Sequence, residues 1–161
     1  MEGGVVIYDE QLAQINALIG RLLKESDAKC ALLVGKDGRT IAKQGFTRLM
    51  DTDQLGALVA GAFAATQHVA RLLGEPEFTV MFHQGKHDHI HIFLIDPKTL
   101  LVVTFDERTT VGMVRLVSKA ISESLGEVLA KVYENPTVEG VGTPEEIASS
   151  FDEVFGKDDK E

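Results

Sequence analysis

Four histidines stand close together in this chain: His83, His87, His89 and His91. Imidazole is a common zinc ligand, and side chains two residues apart on a strand share a face. His89 and His91 would therefore point the same way, with His87 at the start of the strand. No cysteine stands near enough to complete a metal site, and Asp88 falls on the opposite face. A solvated or partner-facing polar strand face is the favoured interpretation, and no metal is expected. Arg108, in Phe105-Asp106-Glu107-Arg108, is of the type that stabilises charge in phosphoryl transfer. In a loop between a strand and a helix, a supporting salt bridge is the commoner use of such a residue. Asp106 and Glu107, adjacent at the start of a helix, are expected to favour the positive end of its dipole.

The motifs of nucleotide and covalent chemistry are missing. There is no GxxxxGK[ST] sequence, and Gly35-Lys36-Asp37-Gly38 falls in a predicted hairpin turn where glycine serves backbone geometry. Gly140-Val141-Gly142 lacks a third glycine and a preceding strand. No GxSxG elbow, HExxH or CxxC pair occurs. Cys30, the one cysteine, lies in the apolar run Cys30-Ala31-Leu32-Leu33-Val34 and is expected in the core, with no intrachain disulfide. Neither a catalytic residue nor a cofactor is expected.

The 161 residues suffice for one core without staples. A net charge of −9 argues against a nucleic-acid partner, because phosphate contacts need a basic patch. Much of that excess lies in residues 135–161, which hold 8 acids and 2 bases. The opening MEGGVVIYDE has no basic region and too short an apolar stretch for a signal peptide, so a cytoplasmic protein without membrane insertion is expected.

Periodicity supplies the elements that position these residues. A first helix is predicted from Asp9 to Glu25, with Leu12, Ile15, Ile19 and Leu22 on one stripe. A hairpin follows, from Ala28 to Gly35 and from Thr40 to Gln44, around Asp37-Gly38. A second helix runs from about Thr52 to Leu73, with Asp51 as its cap, Gly74 closing it and Pro76 beyond. Strands are predicted at Phe78 to Gln84, Asp88 to Ile95 and Leu100 to Phe105. A third helix starts near Thr109 or Thr110, carries Val114, Val117, Ile121, Leu125, Val128 and Val132, and ends before Asn135-Pro136. The order α-β-β-α-β-β-β-α, with strand pairs joined by short turns, predicts an α+β domain on an antiparallel sheet. It would span 1–134, followed over 135–161 by an acidic linker and a short amphipathic helix. In that helix Ile147, Phe151, Val154 and Phe155 share a face, which would meet either another protein or its own domain.

The second helix is unusual. From Leu55 to Ala65 it has no polar side chain, although a surface helix normally keeps a polar face. At eleven residues the run is too short to span a bilayer, which needs roughly 20. Gly56 and Gly61 each cost about 1 kcal/mol relative to alanine there, which suggests close approach from outside. Leu55, Leu58, Ala62, Val69 and Leu73 can cover the sheet. Ala57, Ala60, Gly61, Ala64 and His68 are then left for a second protein.

The element order, the helix segment Leu58-Val59-Ala60-Gly61 with Ala64-Ala65-Thr66 and Leu72-Leu73-Gly74-Glu75, and the stretch from Phe105-Asp106 to Gly112-Met113-Val114-Arg115-Leu116 resemble bacterial Roadblock-family proteins. Phe82-His83-Gln84-Gly85 resembles the family's equivalent strand end. The resemblance covers about residues 5–134. It implies a five-stranded antiparallel sheet between helices and a homodimer formed through the second helix and third strand. It also implies binding to a small Ras-like GTPase in its GTP-bound form. Some members accelerate hydrolysis there without an arginine finger, by repositioning the GTPase's own groups; a scaffold that binds a GTPase or motor component is the alternative. Cell polarity or motility is the implied setting. By this resemblance, Ala60, Ala64, Gln67, His68 and Arg71 would face the GTPase. Ala57, Gly61, Ala65, Phe78, Val80 and Phe82 would form the dimer interface, and Ile147, Phe151 and Phe155 the tail contacts. His68 departs from the family, where a small residue is usual.

Overall fold

Runs of apolar residues separated by turn-forming ones dictate the order of elements. The computed structural model describes residues 9–134. The tail positions Ile147, Phe151 and Phe155 lie outside that range. Along the chain come α1 (Asp9–Ser26), β1 (Cys30–Gly35), β2 (Thr40–Gly45), α2 (Thr52–Leu72), β3 (Val80–Gln84), β4 (His89–Asp96), β5 (Thr99–Phe105) and α3 (Val111–Glu134). The five strands form one antiparallel sheet in the order β2-β1-β5-β4-β3. The predicted α+β architecture is therefore present. The β3 strand is shorter than expected: it starts at Val80, although the Leu94 N–H still reaches the Thr79 carbonyl at 2.9 Å. Phe78 lies just outside it.

Strands β1 and β5 are buried along their whole length, which is why CALLVG and TLLVVTF are continuous runs without polar alternation. Both sheet faces are covered, but unequally. On one face Ile15, Ile19 and Leu22 of α1 join Val114, Val117, Ile121 and Leu125 of α3 over Ala31, Leu33, Leu101, Val103 and Phe105. Each full burial of a leucine-sized side chain stabilises by about 1.5–3 kcal/mol, so this layer dominates. The other face is thinner. There α2 contributes Val59 and Phe63, with Leu55 partly buried, against Cys30, Leu32, Val34, Ile92, Leu100 and Val102.

The ends of α2 are fixed locally. The Asp51 carboxylate accepts from the Gln54 N–H at 3.0 Å. At the other end Gly74 adopts φ 77°, its N–H donating to the Arg71 carbonyl at 3.1 Å, while the Glu75 N–H reaches the Ala70 carbonyl at 2.9 Å. This paired closure needs the left-handed conformation that glycine takes at no steric cost.

Two expectations about α2 are corrected. Leu58, Ala62, Val69 and Leu73 do not cover the sheet; all four are exposed, Leu58 by 64 %. The helix is turned so that Leu55, Val59 and Phe63 point inward. Gly56 does not await an outside partner either: a Cβ there would lie 2.9 Å from the Thr40 hydroxyl and 3.4 Å from both the Gly38 carbonyl and Val34. It lets α2 lie against its own β1–β2 hairpin. Gly61 is different, with nothing within 4 Å of its Cβ position.

Gly20, in the middle of α1, likewise has open space at its Cβ position. We expect Gly20→Ala to stabilise the fold by about 1 kcal/mol. Gly56→Ala should destabilise it by about 1–2 kcal/mol, since the crowding outweighs the propensity gain. Urea unfolding of the two variants checks both signs.

Candidate functional site

The residues that the family resemblance assigned to a GTPase lie together on α2. Ala60, Ala64, Gln67, His68 and Arg71 follow one another at helical spacing along one flank, and all five line a single cavity of about 250 Å³. Phe63 and Lys36 complete its lining. Phe63 is 1 % exposed, and the Lys36 ammonium stands 5.7 Å above its ring. That ammonium also pairs with the Glu77 carboxylate at 2.7 Å. The Gln67 amide donates to the Phe78 carbonyl at 3.5 Å, a long contact that links α2 to the segment before β3. Ala60 is itself buried, so it forms a wall and not an exposed contact. Ala64, His68 and Arg71 are exposed at the rim.

A second surface lies beside this flank. Ala57, Leu58, Gly61, Ala65, Val69 and Leu72 are exposed on the outward side of α2, Leu72 by 87 %. The sheet beneath is also incompletely covered. Met81, Ile90 and Leu94 pack against the thinner core but are only partly buried. Strand β3 is the free edge of the sheet on that side. Val80 and Phe82 on β3 pair with Phe93 and His91, placing them on the sheet face covered by α3. Phe82 remains 38 % exposed and stacks 6.1 Å from Phe105.

Sequence reasoning missed Lys36 and Phe63 as parts of the cavity, and Glu77 as the partner that holds Lys36. Phe63 carried a signal, being the sole aromatic in the apolar run. The positions of Lys36 and Glu77 depend on how the hairpin and the segment before β3 meet α2, and no local pattern encodes that.

The histidine group does not assemble. His83 and His87 are exposed, and His87 lies outside the strand. His89 and His91 do share a face, but it is not the solvated face expected. It turns toward the α1–α3 side, where His89 lies 5.2 Å from the Phe105 ring and His91 stacks on Phe93 at 6.0 Å. His91 is 1 % exposed, and neither ring nitrogen has a partner among the described residues. Burial, helped by the Arg115 charge, holds its imidazolium below the usual histidine range. Among the described residues no three His, Cys, Asp or Glu side chains converge to hold a metal ion.

Arg108 pairs with Asp106 at 3.0 Å, the salt bridge expected of a loop arginine. This contact holds the Asp106 carboxyl below its ordinary range. The dipole role expected for Asp106 and Glu107 is not found. They precede α3, whose first turn holds no acid and whose cap is Thr110, accepting from the Met113 N–H at 3.2 Å. Cys30 is in the core, its sulfur 2.9 Å from the Thr104 hydroxyl, and burial pushes its thiol up. No helix among the described residues is long and apolar enough to cross a membrane.

The Roadblock/LC7 domain family matches residues 14–105. Among solved structures the chain is similar to Myxococcus xanthus MglB, with 39 % identity over 79 % of this chain and 96 % of that one, at a TM-score of 0.74. It is also similar to the gliding protein MglB from Thermus thermophilus, with 32 % identity, 81 % and 99 % coverage and a TM-score of 0.76. A structure described as MglB with tetrameric arrangement matches at 30 % identity, with 82 % and 99 % coverage and a TM-score of 0.78. No curated protein sequence matches. The chain belongs to the Roadblock/LC7 domain family.

The buried His91 generates a pH prediction. Its folded-state pKa is depressed, so the unfolded chain binds a proton that the native chain refuses. Stability should therefore fall as pH drops below about 6.5, by at most about 1.4 kcal/mol per pH unit for this one group. In His91→Leu that share of the slope should vanish, with stability at pH 7 unchanged or higher. Urea titrations at pH 7, 6 and 5 compare the two slopes, and equal slopes would refute the assignment.

Proposed function

We propose that this Roadblock/LC7 chain is a homodimeric regulator that accelerates GTP hydrolysis on a small Ras-like GTPase of the MglA type, in the cytoplasm, in cell polarity or motility. One observation carries the proposal: a single helix, α2, offers two adjacent surfaces that its own domain leaves unused. The outward surface, with Gly61 at its centre and Ala57 and Ala65 one turn to either side, suits a second α2 lying alongside. An exposed apolar face of this kind marks an interaction site. Pairing of the β3 edges through the segment of Phe78, Val80 and Phe82 would continue the sheet across the dimer. The partly covered Met81, Ile90 and Leu94 would then come under the partner's helix.

The flank of Ala60, Ala64, Gln67, His68 and Arg71 is assigned to the GTPase. Likeness to MglB proteins at up to 39 % identity supports that assignment. Arg108 is not assigned a catalytic role in the GTPase's site, since Asp106 holds it in the β5–α3 turn. Stimulation would then come from holding the GTPase's own groups in their reactive positions, which lowers the barrier electrostatically.

The decisive measurement is single-turnover GTP hydrolysis by the cognate GTPase with and without the chain. We expect stimulation of about tenfold or more, corresponding to at least ~1.4 kcal/mol of barrier. An unchanged rate would reject the proposal, and retained pull-down in that case would select a scaffold role. Ala64→Arg should abolish stimulation while leaving the dimer intact in light scattering, because the added charge would be buried against the GTPase. Gly61→Leu should have the opposite profile, a folded chain that elutes as a monomer, since bulk at the helix contact blocks close approach.

A further inference from the structure

We infer that the chain's own segment Phe151-Asp152-Glu153-Val154-Phe155 docks into the α2-flank cavity and covers the rim formed by Ala64, His68 and Arg71. The cavity has an apolar floor in Phe63 and alanine walls, so it suits an aromatic side chain. Its volume, about 250 Å³, accommodates one such ring. Its rim carries one unpaired cation: Arg71 is exposed beside His68, with no ion pair among the described residues, whereas Lys36 is paired with Glu77. The matching ligand is therefore an aromatic flanked by acids. The segment Phe151–Phe155 has that composition, within a stretch of 8 acids and 2 bases over residues 135–161.

Reach and starting point agree with this assignment. A Cβ placed on Gly126 of α3 would lie 4.0 Å from the Ile95 side chain, at the end of the sheet where the β4–β5 turn lies. The Lys98 carbonyl in that turn accepts from the Lys36 N–H at 2.8 Å, and Lys36 lines the cavity. The last part of α3 and the cavity thus share one end of the sheet, on opposite faces. Two packed layers and the last turns of α3 separate them by about 30 Å. Residues 135–150 can span up to about 50 Å when extended. A tethered ligand at such a distance acts at high effective concentration, so a weak contact suffices for occupancy.

The docking stands without any GTPase. That it would compete with a GTPase rests on the function proposed above, and the experiment keeps the two apart. Hydrogen exchange of the full chain is compared with that of its Phe151→Ser/Phe155→Ser double variant. Amides of α2 around residues 64–72 should exchange about tenfold faster in the variant, while α1 and α3 remain unchanged. A labelled peptide of residues 143–161, titrated into the double variant, should bind saturably. Arg71→Glu in the same background should weaken that binding about tenfold. Identical α2 exchange in the two chains, as expected if the segment instead meets another protein, would overturn the proposal. Peptide affinity insensitive to Arg71→Glu would overturn it as well. If docking holds, the double variant should also stimulate GTP hydrolysis more than the full chain. Docking in the exchange assay with no stimulation by either form would refute the GTPase reading and leave the docking in place.

Discussion

The rotation of α2 about its own axis is the constraint on which the rest depends. It is set by a missing side chain and a large one. Gly56 lets the helix approach the β1–β2 hairpin, where Gly38 at φ 91° turns the chain beneath Ala57. Two turns further along, Phe63 fills the space over the sheet and receives the Lys36 ammonium above its ring. With those two positions fixed, helical geometry leaves Ala60, Ala64, Gln67 and Arg71 on one flank and Gly61, Ala65, Leu58 and Leu72 outward. A helix turned by one residue position would bury a different set and erase both surfaces.

Much of the fold was legible because most elements carry one clear period. Ile15, Ile19 and Leu22 in α1, and Val114, Val117, Ile121 and Leu125 in α3, fall on predicted stripes and form the deeper core. The hairpin turn at Asp37-Gly38 and the caps at Asp51 and Gly74 followed from residue chemistry. The inward face of α2 was not legible. Where every position from Leu55 to Ala65 is apolar, periodicity carries no phase. Leu58, Ala62, Val69 and Leu73 satisfied the spacing of a buried stripe as well as Leu55, Val59 and Phe63 did. What separates them is shape: Gly56 crowds the hairpin and Phe63 fits the sheet, and both are tertiary facts.

The candidate site was legible in part for a related reason. Small residues at helical spacing were visible as a surface left open by the domain, and of those positions Ala60, Ala64 and His68 line one cavity while Ala57 and Gly61 lie beside it. The site's remaining lining includes Lys36, which is held by an ion pair to Glu77, 41 residues away in sequence. The histidine strand was misjudged in the opposite direction. Alternation correctly placed His89 and His91 on one face, but polarity suggested water where α3 lies. A strand in a sheet covered on both sides can bury an imidazole, at the cost of leaving its nitrogens unpartnered.

The inequality of the two layers divides the demands placed on this sequence. Folding rests chiefly on α1, α3 and the central strands, whose side chains interlock on one side of the sheet. The other side carries α2 positions such as Leu58, Val69 and Leu72, which are exposed and touch little of their own domain. A mutation on that outer surface therefore meets almost no penalty from the core. Sequence change on that outer surface would leave the scaffold intact, and the thin α2 layer is where it would accumulate first.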